Sequence, residues 1–322
     1  MKKSVFITRR IPDVAKEMLE SSGFEVFVSP KDGVLTKEEL KDFLKQKPYD
    51  AVLSLLTDHI DKEVFQSVPT AKIFANYAVG FNNINLEDAK SFGVTITNTP
   101  TTSEEVAEHT VALILSLTKR VCEGDKFIRA GKYDGWNPLL LLGTEIEGKT
   151  FGILGAGRIG RKTAKILKNG FGMNIVYFDV FRNEEFEKEM SAVFYENPDD
   201  VFKISDIVSV HTPLTENTRH LVNKERLSLM KKTAYLVNTS RGPVVNENDL
   251  ASVLESGLIA GAGLDVFEFE PKITEKLLSL DNVVLTPHTA SSTISARNAM
   301  AKMAASNIID FLEGKEPKNK IV

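Results

Sequence analysis

The sequence predicts an α/β protein with two doubly wound parallel-sheet domains, one inserted in the other. Apolar segments rich in Val, Ile and Phe alternate with amphipathic segments along most of the chain, as strands joined by crossover helices do. The length of 322 residues exceeds the usual size of a single domain. A proline turn at Pro100 precedes a long helical pattern, and we interpret this turn as a crossing between domains.

Composition and charge exclude several classes of protein. The net charge of −4 and the pI of about 5.9 give no basic surplus for a nucleic-acid partner. A single cysteine, Cys122, rules out an internal disulfide and favours a cytoplasmic location; its place at the end of an apolar helix predicts a packed thiol. No apolar run approaches the roughly 18 residues of a membrane span. The scattered histidines predict no metal site.

The first hundred residues predict a small doubly wound, flavodoxin-like domain. Residues Thr36 and Glu39 have the spacing of a capping box at the start of a helix. Strands are predicted at 4–8, 25–29, 51–56, 72–78 and 94–98, and helices at 12–21, 36–45, 61–68 and 86–92.

One loop of this domain, 76–83, follows a buried strand and precedes a helix. Open parallel sheets bind ligands at such strand ends. The backbone N–H groups of Val79 and Gly80 can receive a carboxylate, with glycine allowing close approach. A tight connection capped by asparagines explains the same residues, and both interpretations stay open.

The middle of the chain predicts a long helix and then an irregular arm. Thr102 and Glu105 mark the start of a helix that continues to Arg120 with one apolar stripe. The following segment, 131–143, contains Trp136 and four consecutive leucines but has neither a helical nor a strand period. Exposed apolar residues of this kind favour a homodimer contact through an arm at about 121–146. Packing inside the subunit beneath a long loop is the alternative.

The second half predicts a larger sheet. Strands are expected at 150–154, 174–178, 206–210, 234–238, 261–264 and 283–285, and a helix at 292–312 is followed by a polar tail. Because this last helix follows the final strand of the second sheet, we expect it to pack on the first domain. The predicted domains are therefore 1–99 with 290–322, for the substrate, and 100–289.

The first strand of the second domain leads into a glycine-rich turn with three glycines, Gly155, Gly157 and Gly160. A helix follows, and Asp179 ends the next strand 19 positions after the last glycine. The glycines allow a tight turn, close approach to a pyrophosphate and close helix packing, and the helix N-terminus favours phosphate. This predicts a Rossmann domain that binds NAD, with NADP less favoured because Asp179 would repel a 2′-phosphate. Arg182 lies near enough to weaken that preference.

Three polar residues follow later strands of the same domain: Arg241, Glu270 and His288. Since the carboxyl ends of parallel strands share one edge, the three side chains are expected to converge. An arginine binds a carboxylate and polarises an adjacent ketone, and a histidine passes a proton to the oxygen during hydride transfer. Glu270 paired with His288 would orient the ring and favour its protonated form. The set predicts reduction of a small 2-oxo acid.

Several motifs in the same order resemble the NAD-dependent D-isomer-specific 2-hydroxyacid dehydrogenases over essentially the whole chain. These motifs are 142–160, 211–219, 237–242, 264–271 and 286–288. The resemblance implies catalytic Arg241, Glu270 and His288, the Val79–Gly80 loop on the substrate carboxylate, and a homodimer. It implies cofactor contacts at Arg158, Ile159, Asp179, Thr212, Pro213, Thr218, Thr239 and Asp265. Segment 136–143 most resembles the glyoxylate and hydroxypyruvate reductase branch, where such an arm crosses to the partner subunit.

Other members and relatives of this family offer alternatives. A D-3-phosphoglycerate or D-lactate type of dehydrogenase would share these motifs. Formate dehydrogenases typically carry glutamine where this chain has Glu270, which argues against them. A dinucleotide-sensing, corepressor-like interaction protein can keep all three polar residues, but the chain has no basic region for recruiting partners.

Overall fold

The computed structural model describes residues 2–100 and 103–322, which form two compact units. Met1–Thr102 and Ser292–Val322 make the first unit, and Ser103–Ser291 make the second. The cap predicted at Thr102 lies outside the described residues. Within those residues, no helix is long and apolar enough to cross a membrane.

The first unit contains a five-stranded parallel sheet in the order β2-β1-β3-β4-β5, the flavodoxin order. Every predicted strand is confirmed to within one residue at each end. Thr36 and Glu39 form the predicted capping box, in which each side chain accepts from the other residue's N–H. The strands are β1 Ser4–Ile7, β2 Glu25–Val28, β3 Ala51–Leu55, β4 Ile73–Tyr77 and β5 Thr95–Thr97; the helices between them are α1 Val14–Ser21, α2 Lys37–Leu44, α3 Lys62–Ser67 and α4 Leu86–Ser91.

The C-terminal segment is not the polar tail that the sequence predicts. Ile96 N–H donates to Val322 O at 3.0 Å, and Ile321 N–H donates to Ile96 O at 2.8 Å, so the segment pairs with the edge strand β5. Ile321 and Val322 also pack against the apolar core of the first unit. Two apolar residues after a lysine-rich stretch are too short to show a strand period, which is why the pairing was not predicted.

The second unit contains a seven-stranded parallel sheet in the order β8-β7-β6-β9-β10-β11-β12, which extends the Rossmann order. The predicted α/β fold with two parallel sheets is thus confirmed. The edge strand β8 was not predicted, because two residues carry no alternation. The strands are β6 Thr150–Leu154, β7 Asn174–Phe178, β8 Val193–Phe194, β9 Ile207–Val210, β10 Tyr235–Asn238, β11 Gly261–Leu264 and β12 Val283–Leu285.

Helices flank this sheet. The second of them, Val121–Arg129, shows that two predictions were wrong: where the long helix ends, and that the Cys122 thiol is packed. The helices are α5 Glu104–Thr118, α6 Val121–Arg129, α7 Arg158–Phe171, α8 Glu184–Met190, α9 Pro198–Ile204, α10 Lys224–Leu227, α11 Glu247–Glu255 and α12 Glu275–Leu278; α13 Ile294–Leu312 belongs to the first unit. The long helix ends before Arg120, whose φ of 55° is left-handed, and α6 then starts. Cys122 therefore lies on α6, which buries no residue, and its thiol is exposed rather than packed.

The last residues of six strands in the second sheet stand in one row. The register pairs Phe178 with Leu154, Leu154 with Val210, Val210 with Asn238, Asn238 with Leu264 and Leu264 with Leu285. Every site residue predicted in this unit follows one of these strand ends. The register thus brings the glycine turn and the three polar residues to one edge of the sheet.

Candidate active site

The glycine turn after β6 is closely packed at two of its glycines and open at the third. Gly155 has a φ of +94°, and a Cβ there would lie 2.9 Å from the backbone of His211 and Thr212. A Cβ on Gly160 would lie 2.5 Å from Gly155 O, whereas one on Gly157 would meet nothing within 4 Å. The backbone at Gly157 is therefore accessible to a ligand, while its neighbours hold the turn against β9.

The start of α7 has the features of an anion site. Gly157 is its N-cap, no side chain caps it, and its first turn, which begins with Arg158 and Ile159, contains no acidic residue. Because the first turn of a helix leaves N–H groups without intrahelical acceptors, this end favours phosphate. The Thr212 hydroxyl beside Gly155 is buried and has no hydrogen-bond partner among the residues that the structure describes. An uncapped helix end and an unpartnered buried hydroxyl fit a dinucleotide.

Asp179 follows β7 and reaches back to this turn. Its Oδ2 accepts from Ala156 N–H at 2.7 Å. Arg182, three residues on, makes a two-point ion pair with Glu187, with Nε–Oε1 and Nη2–Oε2 distances of 2.9 Å each. The Tyr177 hydroxyl donates to the same carboxylate at 2.8 Å. The acidic side chain thus lies at the turn while the nearby arginine is engaged elsewhere.

Two threonines that are predicted to contact the cofactor, Thr218 and Thr239, form hydrogen bonds to other groups of the protein through their hydroxyls. Thr218 Oγ1 donates to Pro213 O at 2.6 Å and accepts from Thr215 N–H at 2.7 Å, which closes the loop after β9. Thr239 Oγ1 pairs with Thr110 Oγ1 of α5 at 2.8 Å. These bonds position the loops at the edge of the sheet.

His288 and Glu270 are in direct contact. His288 Nδ1 lies 2.9 Å from Glu270 Oε2, and Glu270 Oε1 accepts from Phe267 N–H at 3.0 Å. Burial raises the pKa of Glu270, but the hydrogen bond with His288, that from Phe267 and the charge of Arg241 outweigh it, so the net pKa is lowered. Because Glu270 engages Nδ1, Nε2 is the ring nitrogen that can serve a substrate oxygen.

Arg241 follows β10 and is held by its own turn. Its Nη1 donates to Ser240 O at 2.7 Å, and Asn238 Nδ2 donates to Arg241 O at 3.0 Å. Burial lowers the pKa of Arg241, and the Glu270 carboxylate partly offsets that effect. An arginine nevertheless stays charged. Across 2–100 and 103–322, no protein acceptor engages its remaining N–H groups, which can therefore bind an anionic substrate.

The Asp265 carboxylate has a role that sequence reasoning missed. Its Oδ1 accepts from Thr286 Oγ1 at 2.7 Å and Thr289 N–H at 2.8 Å, and its Oδ2 accepts from Ala290 N–H at 2.9 Å. These bonds hold the turn in which His288 has a left-handed φ of 53°. Burial raises the pKa of Asp265, but the bonds to His109, Thr286 and the turn lower it overall.

His109 of α5 completes this network and was also missed. Its Nε2 lies 3.0 Å from Thr286 Oγ1 and 3.4 Å from Asp265 Oδ1. The sequence contained a signal for this role: His109 is a titratable residue beside Thr110, on a helix that buries mainly apolar side chains. The described residues contain no group of three His, Cys, Asp or Glu side chains that could hold a metal ion.

In the first unit, two side-chain amides hold the loop that follows β4. Asn98 Nδ2 donates to Val79 O at 2.7 Å, and Asn76 Nδ2 donates to Gly80 O at 3.0 Å. The N–H groups of Val79 and Gly80 have no acceptor in the part of the chain that the structure describes. The two interpretations left open by the sequence are therefore compatible: asparagines cap the connection, and two N–H groups remain for a ligand.

Comparisons with known proteins agree with this geometry. The family model "D-isomer specific 2-hydroxyacid dehydrogenase, NAD binding domain" matches residues 111–290. A glyoxylate reductase from Pyrococcus horikoshii is 47% identical over an alignment of 322 positions. The alignment covers 98% of this chain and 95% of the relative. A glyoxylate reductase from Thermococcus litoralis is 44% identical over an alignment of 330 positions, which covers 100% of this chain and 97% of the relative.

A solved structure gives the same result. The NADPH-dependent glyoxylate/hydroxypyruvate reductase from Sinorhizobium meliloti, in complex with NADP and malonate, superposes with a TM-score of 0.85 at 28% identity, covering 100% of this chain and 97% of that one. The strand order, the glycine turn and the matches along the full length lead to one conclusion. The chain belongs to the D-isomer specific 2-hydroxyacid dehydrogenase family.

Proposed function

We propose that this protein reduces glyoxylate, and hydroxypyruvate as a second substrate, to the 2-hydroxy acid with NADH. The observation that carries the proposal is the 2.9 Å contact between His288 and Glu270 at the strand ends that also present Arg241. The full-length relatives named glyoxylate reductase support the choice of substrate.

Each side chain of the set has one task in this reaction. Arg241 binds the carboxylate and polarises the ketone with guanidinium N–H groups that have no protein acceptor in the described chain. His288 donates its Nε2 proton to the ketone oxygen, and Glu270 holds the ring through Nδ1. We assign the N–H groups of Val79 and Gly80 to the substrate carboxylate as well, because neither has an acceptor in the described chain. Bound NADH would supply the hydride.

The preference for NAD over NADP is supported by the loop after β7. Asp179 lies against the glycine turn, where a 2′-phosphate would meet its charge, and Glu187 neutralises Arg182 through two bonds of 2.9 Å. Asp179→Ala should raise kcat/KM with NADPH relative to NADH, and Glu187→Gln should do so to a smaller extent by releasing Arg182. An unchanged ratio in Asp179→Ala would show that this residue does not set the preference.

A homodimer formed through the arm is part of the proposal. The arm at about 121–146 exposes Trp136, Leu139 and Leu142 by 84%, 76% and 62%. Apolar side chains exposed this far in one segment are typical of a partner surface. A cytoplasmic location stays a prediction from the single cysteine.

A substrate panel tests the proposed activity. NADH oxidation is measured with glyoxylate, hydroxypyruvate, pyruvate and phosphohydroxypyruvate, and the glycerate formed from hydroxypyruvate is analysed for chirality. Glyoxylate should give the highest kcat/KM, and the glycerate should be the D-isomer. Preference for pyruvate or phosphohydroxypyruvate would favour the D-lactate or D-3-phosphoglycerate type instead. No oxidation with any of them would favour a dinucleotide-sensing protein.

A further inference from the structure

A cluster of three titratable side chains bonds the turns that carry Glu270 and Arg241. It takes no part in the proposed reaction. It consists of Glu247, Glu268 and His220, and we refer to it as the acidic brace. Glu247 is only 1% exposed, and the Glu268 side chain is 8% exposed. Buried carboxylates are costly unless they are hydrogen-bonded, so their partners indicate what the cluster holds.

Glu247, the first residue of α11, bonds both ends of the turn that carries Glu270. Its Oε1 accepts from Glu268 N–H at 2.5 Å. Its Oε2 accepts from Thr274 N–H at 3.2 Å and from Thr274 Oγ1 at 2.7 Å. Glu270 lies between these two attachment points, so one buried carboxylate closes the turn at its base.

Glu268 completes the brace from the other side. Its Oε2 accepts from Glu247 N–H at 3.1 Å, and its Oε1 lies 2.5 Å from His220 Nε2. His220 also donates its backbone N–H to Pro243 O at 2.9 Å, and Pro243 lies two residues after Arg241. His220 therefore links the turn of Glu270 to the turn of Arg241.

The same two turns are in close backbone contact. A Cβ on Gly242 would lie 1.8 Å from Phe267 O, so the residue after Arg241 packs directly on the residue whose N–H binds Glu270. The hydrogen bonds of the acidic brace join the same two turns.

We propose that Glu247, Glu268 and His220 are positioning residues, which hold the turn of Glu270 against the turn of Arg241 and thereby set the Glu270–His288 contact. This inference rests on the proposed function. None of the three touches the reacting atoms, so their effect on the rate is transmitted through Glu270. A purely structural role would lower stability without any dependence on Glu270.

The test compares Glu268→Gln in two backgrounds. His220 Nε2 and Glu247 N–H contact different oxygens of Glu268, and the amide replaces one of these acceptors with an NH₂ donor, so it cannot keep both bonds as they are. In the wild-type background kcat for glyoxylate should fall about tenfold, as for residues coupled in one network. In the Glu270→Gln background the same change should cost almost nothing further, because the group that the brace positions is already disabled.

The matched control is Glu255→Gln, at the other end of α11, where Glu255 pairs with Lys276 on the surface at 3.1 Å. It should leave kcat unchanged in both backgrounds. If Glu268→Gln does not fold, His220→Asn carries the same test from a side chain that is 38% exposed. Equal losses of kcat in both backgrounds would overturn the proposal.

A second readout separates this inference from the proposed activity. In ¹⁵N-histidine NMR spectra, the His288 ring signals, assigned by His288→Asn, should move in Glu268→Gln in the same direction as in Glu270→Gln. They should not move in Glu255→Gln. An inactive wild-type enzyme would refute the proposed function alone, whereas unmoved His288 signals in Glu268→Gln would refute the brace.

Discussion

Arg241 is the residue on which we expect substrate recognition to depend most. Its side chain is half-buried, its guanidinium is bonded once to Ser240 O, and its further N–H groups have no protein acceptor in the described chain. Arg241→Lys keeps the charge but replaces a planar two-point donor with a single ammonium group. We expect kcat/KM for glyoxylate to fall about a hundredfold, with the Kd of NADH unchanged. Steady-state kinetics and NADH fluorescence titration measure this, and wild-type kcat/KM in the variant would exclude Arg241 from the site.

We expect His211, next to the glycine turn, to make the free energy of unfolding depend on pH. Its ring lies 2.9 Å from Ser209 Oγ, its backbone packs on Gly155, and burial lowers its pKa to about 4. The unfolded chain therefore binds this proton at a higher pH than the folded one, and stability falls as pH drops from 6.5 towards 4.

The predicted size of this effect is measurable by urea unfolding. Between pH 7 and pH 5 the wild type should lose about 2 kcal/mol more unfolding free energy than His211→Gln, which has no titrating ring. Equal losses in the two proteins would show that His211 does not carry the pH dependence.

The sequence predicted that Arg241 and His288 follow strands that end at one edge of the sheet, and the register agrees; their roles in catalysis stay predictions. The bonds by which the Asp265 carboxylate holds the turn of His288 were not predicted, and the cofactor contact that the family resemblance implies for Asp265 stays a prediction. The hydrogen bonds among Glu247, Glu268 and His220 were not predicted either. Contacts between turns that are distant along the chain are set by strand order and register, and no local pattern contains them.

Among the elements, the loop after β4 gives a direct test of carboxylate binding. Asn98→Ala removes the amide that holds Val79 O at 2.7 Å, so the free N–H groups of the loop lose their orientation. We expect KM for glyoxylate to rise about tenfold with little change in kcat or in the Kd of NADH.

The control for this prediction is Asn85→Ala, which removes the N-cap of α4 in the same unit without touching the loop carbonyls. A cap costs about 1 kcal/mol of stability, so this control reports on destabilisation alone. If both variants raise KM equally, or if neither does, the loop does not bind the carboxylate.

Element by element, strands of three or more residues were predicted and two-residue segments were not. The strands β6, β7, β11 and β12 have the predicted bounds, because each is a run of apolar residues between turn signals. The helix α6 was missed because Arg120 adopts a left-handed φ inside a continuous pattern. The pairing at β5 was missed because a two-residue apolar segment acquires its strand conformation from its neighbour.

At the scale of the whole molecule, the exposed arm predicts the oligomeric state. Leu139 is 76% exposed in the arm, and Ile294, the control, is 85% exposed at the start of α13 in the other unit. Leu139→Glu should convert a dimer to a monomer in light scattering coupled to size exclusion, because a charge is costly in an apolar interface. Ile294→Glu should remain a dimer. A wild-type monomer, or a dimeric Leu139→Glu, would contradict the assignment of the arm.

The measurement that tests the account most directly is the single-turnover reduction of glyoxylate by the NADH complex of His288→Asn beside the wild type. His288 contacts Glu270 at 2.9 Å and is assigned as the proton donor. The variant should bind NADH normally and lose about three orders of magnitude in the rate of NADH oxidation. A wild-type rate in His288→Asn, with NADH binding intact, would contradict the account.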